Sequence, residues 1–277
     1  MAAITLVNKV NRIGTQLAYQ LTRSLAFPAS VPVAGLRRAV EVKIASTRQE
    51  WEEAFQLVAD NYQARGYEAG DCDCRFTSYH ALPESVVLVA KTEGQVVATF
   101  SLVPDNTLLG LPLEGLYRDE IQELRRHGRH IFETTCLADR DLGLREFVQV
   151  FQALIGLAWQ YGVARGGDTN VITINPRHRS FYTKALGYVP LGPWQSYPAV
   201  QGHPAEAYFL DPRLMRAKAP EAHARIFGEP LPPEALRAPR MPAALVRHFA
   251  RNSSQTDPRL VEEILRYVET CGSPRRW

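Results

Sequence analysis

The pattern of hydrophobic and polar positions predicts an alternation of strands and helices from residue 40 onward. Short apolar or alternating runs, typical of strands, occur at 40–45, 86–90, 95–103, 131–138, 170–174 and 206–210. The second and third of these runs flank a turn and predict a β-hairpin. Apolar residues at helical spacing predict helices at 48–61, 113–127, 144–161, 176–186 and 258–270. This order predicts an α/β fold with a mixed central sheet flanked by helices.

Local signals predict where several helices begin and end. Thr47 and Glu50 have the spacing of a capping box at the start of the first predicted helix. Asn175 stands before a proline in the first turn of a later helix. Asp257 and Gly272 bracket the last helix as its N-terminal and C-terminal caps.

The first 40 residues contain no acidic side chain and carry an apolar stripe between basic and amide residues. The stripe recurs at helical spacing and consists of Leu6, Val10, Ile13, Leu17 and Leu21. It predicts an amphipathic basic helix that either docks on the following domain or, through residues 1–26, lies on an anionic membrane surface. The predicted divisions are an N-terminal helix and linker (1–39), a core domain (40–211) and a helical C-terminal extension (212–277).

The composition of the 277-residue chain excludes several classes of protein. Hydrophobic residues make up 45% and charged residues 22%, as in soluble globular proteins. No apolar run approaches the roughly 20 residues that span a bilayer, and a net charge of +3 is too small to indicate nucleic-acid binding. Four cysteines make no disulfide framework, so we expect a reducing cytosol. Cys72, Cys74 and His80 fall short of a zinc ligand set, and no metal is expected.

The segment 131–145 holds the most informative polar residue. Glu133 is a lone carboxylate in the first half of an apolar strand that leads into an apolar helix. A carboxylate near the interior of a sheet must find a partner, carry a raised pKa or serve a site. An exposed strand residue is the plain alternative. Glu133 is therefore the first candidate for a catalytic group.

Two sets of segments resemble known acyltransferases. Residues 175–188 begin with Asn175, carry a tyrosine and close with Leu-Gly-Tyr, and they resemble the late motif of the GNAT superfamily. A wider resemblance covers about residues 40–211 and rests on the segments 75–79, 97–105, 110–117 and 128–133. These resemble the FeeM-type long-chain N-acyl amino acid synthases, relatives of the acyl-homoserine-lactone autoinducer synthases. The resemblance implies a GNAT-like fold and acyl transfer from an acyl carrier protein thioester to the α-amine of an amino acid, with no bound cofactor.

This chemistry suggests roles for three side chains. Glu133 can take the proton that the attacking amine loses, directly or through one water. Tyr182 can protonate the departing thiolate, or it can simply pack in the core at helical spacing. Asn175 can orient a substrate, or it can cap its own helix.

Aromatic and apolar side chains around these residues are candidates for an acyl tunnel, although core packing explains each one taken singly. They are Phe100, Leu102, Phe147, Phe151 and Trp159. Two rival interpretations stay open. A short apolar pocket would favour an acetyl-CoA-dependent N-acetyltransferase. A glutamate turned away from any cleft would favour a domain that only binds acyl chains or a partner.

The donor is predicted from residues 140–145. CoA-dependent members of the superfamily place a glycine-rich turn under the pyrophosphate, whereas this chain has Arg145 where a small residue is expected. An acyl carrier protein presents one phosphate and an acidic helix, which would suit cationic side chains. The candidates to bind it, each also explicable as a solvated surface residue, are Arg125, Arg126, Arg129, Arg140, Arg145, Arg177 and Arg179.

Two positions depart from the autoinducer synthases. Cys136 stands where they have an arginine three residues after the strand glutamate, and Val58 stands near an arginine of their early helix. Both departures argue against adenosylmethionine as the acceptor. They leave open which partners Glu133 keeps.

Overall fold

The computed structural model describes residues 29–36, 38–69, 73–140 and 142–276. In this part of the chain the strands are β1 (Val31–Pro32), β2 (Glu41–Ile44), β3 (Val86–Thr92), β4 (Gln95–Pro104), β5 (Ile131–Asp139), β6 (Thr169–Ile174), β7 (Val189–Tyr197) and β8 (His203–Leu210). The α-helices are α1 (Arg48–Ala64), α2 (Glu114–Arg126), α3 (Leu144–Ala164), α4 (Pro212–Lys218), α5 (Pro220–Phe227), α6 (Ala243–Arg251) and α7 (Pro258–Cys271). The predicted α/β fold with a mixed sheet is confirmed.

The described strands form one sheet in the order β1-β2-β3-β4-β5-β6-β8-β7. Neighbouring strands are antiparallel except β5 and β6, which are parallel and joined by α3 as the crossover helix. The predicted hairpin is β3–β4. Its two turn residues, Glu93 and Gly94, both have positive φ, as a tight two-residue hairpin turn requires.

Helices cover both faces of the sheet. On one face, which we call the α1 face, α1, α2, α6 and α7 bury apolar residues such as Phe55 and Phe249. On the other, the α3 face, α3, α4 and α5 bury residues such as Phe151 and Ile226. Helix α3 is long and apolar enough to cross a membrane, but more than half of its most apolar stretch is buried inside the protein.

The first helix begins as predicted and ends later. The Thr47 hydroxyl accepts a 3.3 Å hydrogen bond from the backbone N–H of Glu50, whose carboxylate accepts one of 3.2 Å from the backbone N–H of Thr47. This confirms the capping box. Helix α1 continues through Ala64, past the predicted end at 61, because no chain-breaking residue occurs before Gly66, which has a φ of +69°. Tyr62 therefore lies on the helix rather than beyond its end.

Two segments differ from their predicted structure. Strand β7 was not predicted, because Pro190, Gly192 and Pro193 are residues that rarely occur inside strands. The strand accommodates them because it lies at the edge of the sheet and is bulged against β8. The helix predicted at 176–186 is a 3₁₀ turn, Pro176–His178, followed by a π-helical turn, Phe181–Ala185. Single π turns of this kind are frequent at functional sites.

The ends of the chain add to both faces of the sheet. The helical extension predicted from 212 places α4 and α5 on the α3 face and α6 and α7 on the α1 face. Strand β1 pairs with β2 and so extends the sheet into the segment predicted as a linker. The amphipathic helix predicted within 1–26 lies outside the described residues.

Candidate active site

Strands β5 and β6 pair over three residues and then separate. The pairs are Ile131 with Thr169, Phe132 with Asn170, and Glu133 with Val171. Beyond Glu133, β5 continues to Asp139 along β4, while β6 continues to Ile174 along β8. The two strands thus form a fork that has Glu133 at its closed end.

A buried asparagine links the two strands at the closed end of the fork. The side-chain N–H of Asn170 donates a 3.1 Å hydrogen bond to the backbone carbonyl of Phe132. Its side-chain oxygen accepts from the hydroxyl of Tyr188 and, at 3.4 Å, from that of Thr134. Asn170 therefore ties β5 to β6 where the backbone pairing is about to end, and keeps its buried polar atoms bonded.

Strand β5 is bulged just beyond this point. Cys136 and Leu137 together face the single residue Phe100 of β4. Cys136 has a φ of 56°, which is uncommon for a residue other than glycine. Strained backbone of this kind is concentrated at functional sites. The bulge therefore marks the same stretch of β5 as Glu133.

A cavity of about 300 Å³ occupies the fork and reaches both core layers. Its walls toward the α3 face are apolar and include Phe100, Phe147, Phe151, Ile155 and Ile172. Toward the α1 face they include Tyr62, Glu133, Cys136 and Tyr197. At the open end of the fork they include Arg65, Arg177 and His178. The cavity therefore has an apolar side and a polar side that meet between the two strands.

Glu133 is 1% exposed and lines the polar side. Its Oε2 atom accepts a 2.9 Å hydrogen bond from the backbone N–H of Leu113. Burial raises the pKa of Glu133 to about 8, the Leu113 N–H opposes the rise, and the charge of Glu114 adds to it. A carboxylate whose pKa lies near the operating pH suits a general base.

Three tyrosines lie near this carboxylate. Tyr62 and Tyr197 line the cavity, and the hydroxyl of Tyr197 donates to the carbonyl of Pro112 at 3.4 Å. Burial raises the pKa of Tyr62, Tyr79 and Tyr197, and the charge of Glu133 raises each further. All three therefore stay neutral phenols near pH 7, able to donate hydrogen bonds to a substrate.

A buried arginine supports the Tyr62 wall. The guanidinium of Arg75 lies 4.2 Å from the ring centre of Tyr62 and donates to Glu68 at 2.7 Å. Its Nε finds no hydrogen-bond partner among the described residues. Burial raises the pKa of the Cys136 thiol, and the nearby Arg75 charge opposes the rise. Arg75 thus brings a cation close to Cys136 of β5.

This arrangement is not visible in the amino-acid sequence. Arg75 lies in a segment that carries the resemblance without implying a role for it, and Tyr62 lies just beyond the predicted end of the first helix. These residues meet only because α1 packs across β5. The available signal was the aromatic and basic content of residues 62–79. Composition alone does not show that these residues lie near Glu133.

Tyr182 and Asn175, which received roles from the sequence, both line the cavity. The ring of Tyr182 packs edge-on against Phe151 at 6.0 Å, and burial raises its pKa, so the phenol keeps its proton. The Asn175 side chain accepts from the backbone N–H of Arg177 at 3.1 Å and donates to the hydroxyl of Tyr67 at 3.5 Å. Each residue therefore combines a place in the cavity wall with a packing or capping contact.

The predicted tunnel residues separate into two groups. Phe100, Phe147 and Phe151 line the apolar side of the cavity. Leu102 and Trp159 lie outside the cavity wall and are fully buried in the core. Trp159 packs against the ring of Phe132 at 5.1 Å, beyond the closed end of the fork. The structure therefore places Leu102 and Trp159 in the core rather than along an acyl path.

Four of the arginines predicted to bind the carrier protein form ion pairs within the chain. The pairs are Arg125 with Asp105 and Glu114, Arg126 with Glu123, Arg129 with Asp211, and Arg179 with Glu206. The Arg125 side chain is 12% exposed, and its two carboxylate partners outweigh burial and raise its pKa. Arg125 therefore joins α2 to the loop after β4 and is not available to a docking partner.

The other three arginines lie near the open end of the fork. Arg140 and Arg145 are exposed on either side of the α3 N-terminus, next to Leu144, which is 80% exposed. Arg177 lines the cavity itself. Exposed cations beside an exposed apolar residue form a surface suited to an acidic partner.

Comparison with known proteins supports the same chemistry. The family model for the N-acyl amino acid synthase FeeM matches residues 53–211. The solved structure of FeeM, from uncultured soil microbes, is 23% identical with a TM-score of 0.57, covering 66% of this chain and 95% of that one. The AHL synthase LasI is 17% identical with a TM-score of 0.50, covering 72% of this chain and 98% of that one. At such identities the structural matches show the GNAT-like fold alone. No curated protein matches the chain in sequence.

The family match begins within α1 and ends after β8. It covers more than half of the chain and includes both strands of the fork, Glu133 and Tyr182. This agreement holds for the region in which the cavity and its carboxylate lie. The chain therefore belongs to the FeeM family of N-acyl amino acid synthases and is an N-acyltransferase.

Proposed function

We propose that this enzyme transfers a long-chain acyl group from the thioester of an acyl carrier protein to the α-amine of an amino acid. The observation that carries the proposal is the position of Glu133. This buried carboxylate, with a pKa of about 8, lies where the apolar and polar sides of the cavity meet. A glutamate that faces the cavity favours catalysis over a domain that only binds acyl chains.

The two sides of the cavity suit the two substrates. An acyl chain would lie among Phe100, Phe147 and Phe151 on the α3 face, where its burial is favourable. The amine would approach from the α1 face, where Glu133 and the tyrosines lie. The thioester carbonyl would then lie between β5 and β6, within reach of the amine.

The proton transfers follow from these positions. The Glu133 carboxylate takes a proton from the acceptor's ammonium group, directly or through a water, and leaves a neutral amine. The nitrogen attacks the thioester carbonyl carbon, and the carbon–sulfur bond breaks. Tyr182 gives its proton to the departing thiolate and recovers one from the nitrogen of the new amide. Ammonium and thioester thus become amide, thiol and one proton, which Glu133 returns to solvent.

The surface at the start of α3 favours a carrier protein as donor. Arg140 and Arg145 present positive charge beside the exposed side chain of Leu144, at the open end of the fork. An acidic carrier helix complements such a surface, and charge complementarity speeds association. The arginine at 145 also replaces the small residue expected in a pyrophosphate cradle. We further propose that the enzyme works in the cytosol and contacts the inner membrane surface through residues 1–26.

The proposal is tested by supplying purified enzyme with acyl carrier proteins and acyl-CoAs of several chain lengths, together with the twenty amino acids. Mass spectrometry of the extracted lipids should show N-acyl amino acids formed from carrier-bound long-chain donors. An acetyl-CoA arm tests the rival N-acetyltransferase. Products formed from acetyl-CoA with greater catalytic efficiency, or no product from any long-chain donor, would contradict the proposed function.

A further inference from the structure

Two arginines and a histidine line the open end of the fork on its polar side. Arg65 directly follows α1, while Arg177 and His178 follow β6. Arg177 Nη2 donates to the hydroxyl of Tyr67 at 3.3 Å, and its Nε donates to Nε2 of His178 at 2.9 Å. Tyr67 and His178 therefore hold the Arg177 guanidinium at the edge of the cavity.

This group lacks a compensating negative charge. Among the described residues, no carboxylate lies within 4.0 Å of the guanidinium of Arg65 or Arg177. Arg48, at the other end of α1, is by contrast paired with Glu52. Burial lowers the pKa of His178, and the charges of Arg177 and Arg65 lower it further. The three side chains are therefore close enough to affect one another. His178 is neutral near pH 7, so the positive charge at this end of the cavity is that of Arg65 and Arg177.

One carboxylate, that of Asp139, shares this part of the wall. Its Oδ2 atom accepts a 3.2 Å hydrogen bond from the backbone N–H of Leu142, so it serves the turn that follows β5. Asn61 meanwhile donates to the backbone carbonyl of Asp139 at 2.9 Å and so links α1 to the end of β5. Asp139 thus shapes the open end of the fork without neutralising the arginines.

The position of the group indicates which substrate it serves. Arg65 and Tyr67 lie on the polar side, where the amine would meet Glu133, and opposite the apolar wall of the acyl chain. Strand β6 continues three residues past Val171, the partner of Glu133. At about 3.3 Å per residue, the strand therefore extends roughly 10 Å beyond the level of Glu133. Arg65, which also donates to the side-chain oxygen of Asn61, and Arg177 are exposed and line the cavity at that end. The span fits a small molecule with an amine at one end and an anion at the other.

We propose that Arg65 and Arg177 bind the carboxylate of the acceptor amino acid. This inference rests on the proposed function and adds the subsite that selects the acceptor. The two guanidinium groups hold the carboxylate toward the open end, and the amine then faces Glu133 and the thioester. An acceptor without a free carboxylate loses this orientation.

The test compares one accepted amino acid with its carboxamide and its methyl ester, in the wild type, Arg65→Gln, Arg177→Gln and Arg177→Lys. Arg48→Gln is the matched control, an exposed arginine at the start of the helix that Arg65 follows. The KM for the amino acid should rise about tenfold or more in both Gln variants, as expected for a lost charge-assisted hydrogen bond. It should rise less in Arg177→Lys and stay unchanged in the control, while the KM for the donor does not change.

The wild type should discriminate against the carboxamide and the ester, and the Gln variants should lose that discrimination. Equal use of all three acceptors by the wild type would overturn the inference. A rise in the donor KM with no change in the acceptor KM would also overturn it, and would assign the arginines to the donor's phosphate. Absence of any acylated product in the wild type would instead count against the proposed function, so the two failures are distinct.

Discussion

The backbone N–H of Leu113 donates a 2.9 Å hydrogen bond to Glu133, the one hydrogen bond to this carboxylate from the part of the chain that the structure describes. Glu50, which is equally buried, differs. Lys43, Lys91 and the Ser46 N–H outweigh the burial of Glu50 and lower its pKa to about 2. With a single N–H donor, burial prevails at Glu133. Glu50 is therefore a structural anion, and Glu133 can exchange its proton near neutral pH.

The first prediction concerns pH. Only the ionised form of Glu133 can accept the amine's proton. We therefore expect kcat/KM to rise with pH and to level off above an apparent pKa of about 8. The ammonium group of the free acceptor amino acid also titrates, at a higher pH. The residual activity of Glu133→Gln supplies the control. Its pH profile should still show the titration of the amine but should no longer show that of Glu133. A wild-type profile that already levels off near pH 5 would contradict the account.

The second prediction concerns stability. The pKa of Glu133 rises from 4.5 to about 8 on folding, so the native state binds its proton more tightly. The stability that this residue contributes is present below pH 4.5 and is lost as pH rises to about 8. Glu133→Gln should therefore gain stability over the wild type in that range, by up to a few kcal/mol. Thermal unfolding at pH 6 and pH 9 measures this, and an equal difference at the two pH values would refute it.

The third prediction separates two arginines that look alike in sequence. Arg125→Met leaves Asp105 and Glu114 without their buried partner and should destabilise the fold by about 3 kcal/mol or more. Arg145→Gln changes an exposed residue and should leave stability unchanged. It should instead raise the KM for an acyl carrier protein, with a smaller effect at high salt. Urea unfolding and donor kinetics distinguish the two, and the reverse pattern would show the assignment to be wrong.

The fourth prediction concerns residues 1–26. Their apolar stripe and three flanking cations, Lys9, Arg12 and Arg23, should bind anionic lipid, with each cation contributing roughly 1 kcal/mol. The full chain should sediment with anionic liposomes, and a chain lacking residues 1–26 should stay in the supernatant. If both forms stay in solution, the helix has a structural role and the membrane proposal fails.

Short-range patterns predicted most of the fold. The capping box of Thr47 and Glu50 and the hairpin turn at 92–94 depend on residues a few positions apart, and both are present. Strand β7 was missed because Pro190 and Gly192 are acceptable only at a sheet edge. The position of an element within its sheet is not contained in its local pattern.

The candidate site likewise contains residues that a local pattern reveals and residues that only the folded chain brings together. Glu133 stood out because one carboxylate interrupts an apolar strand, which a local pattern can reveal. Arg125 was misread because its partner Asp105 lies 20 residues away, and an arginine near a helix end looks exposed until the chain is folded. Arg75 and Tyr62 meet through the packing of α1 on β5. Contacts of this kind become visible only in three dimensions.

The central claim is that Glu133 is the general base, and the turnover of Glu133→Gln tests it most directly. The variant keeps the shape of the side chain and an acceptor for the Leu113 N–H, so it should fold as the wild type does. Glu263→Gln, at an exposed position on α7, is the control. We predict that N-acyl amino acid formation falls by about two to four orders of magnitude in Glu133→Gln and stays unchanged in the control. Near-wild-type turnover in folded Glu133→Gln would contradict the account.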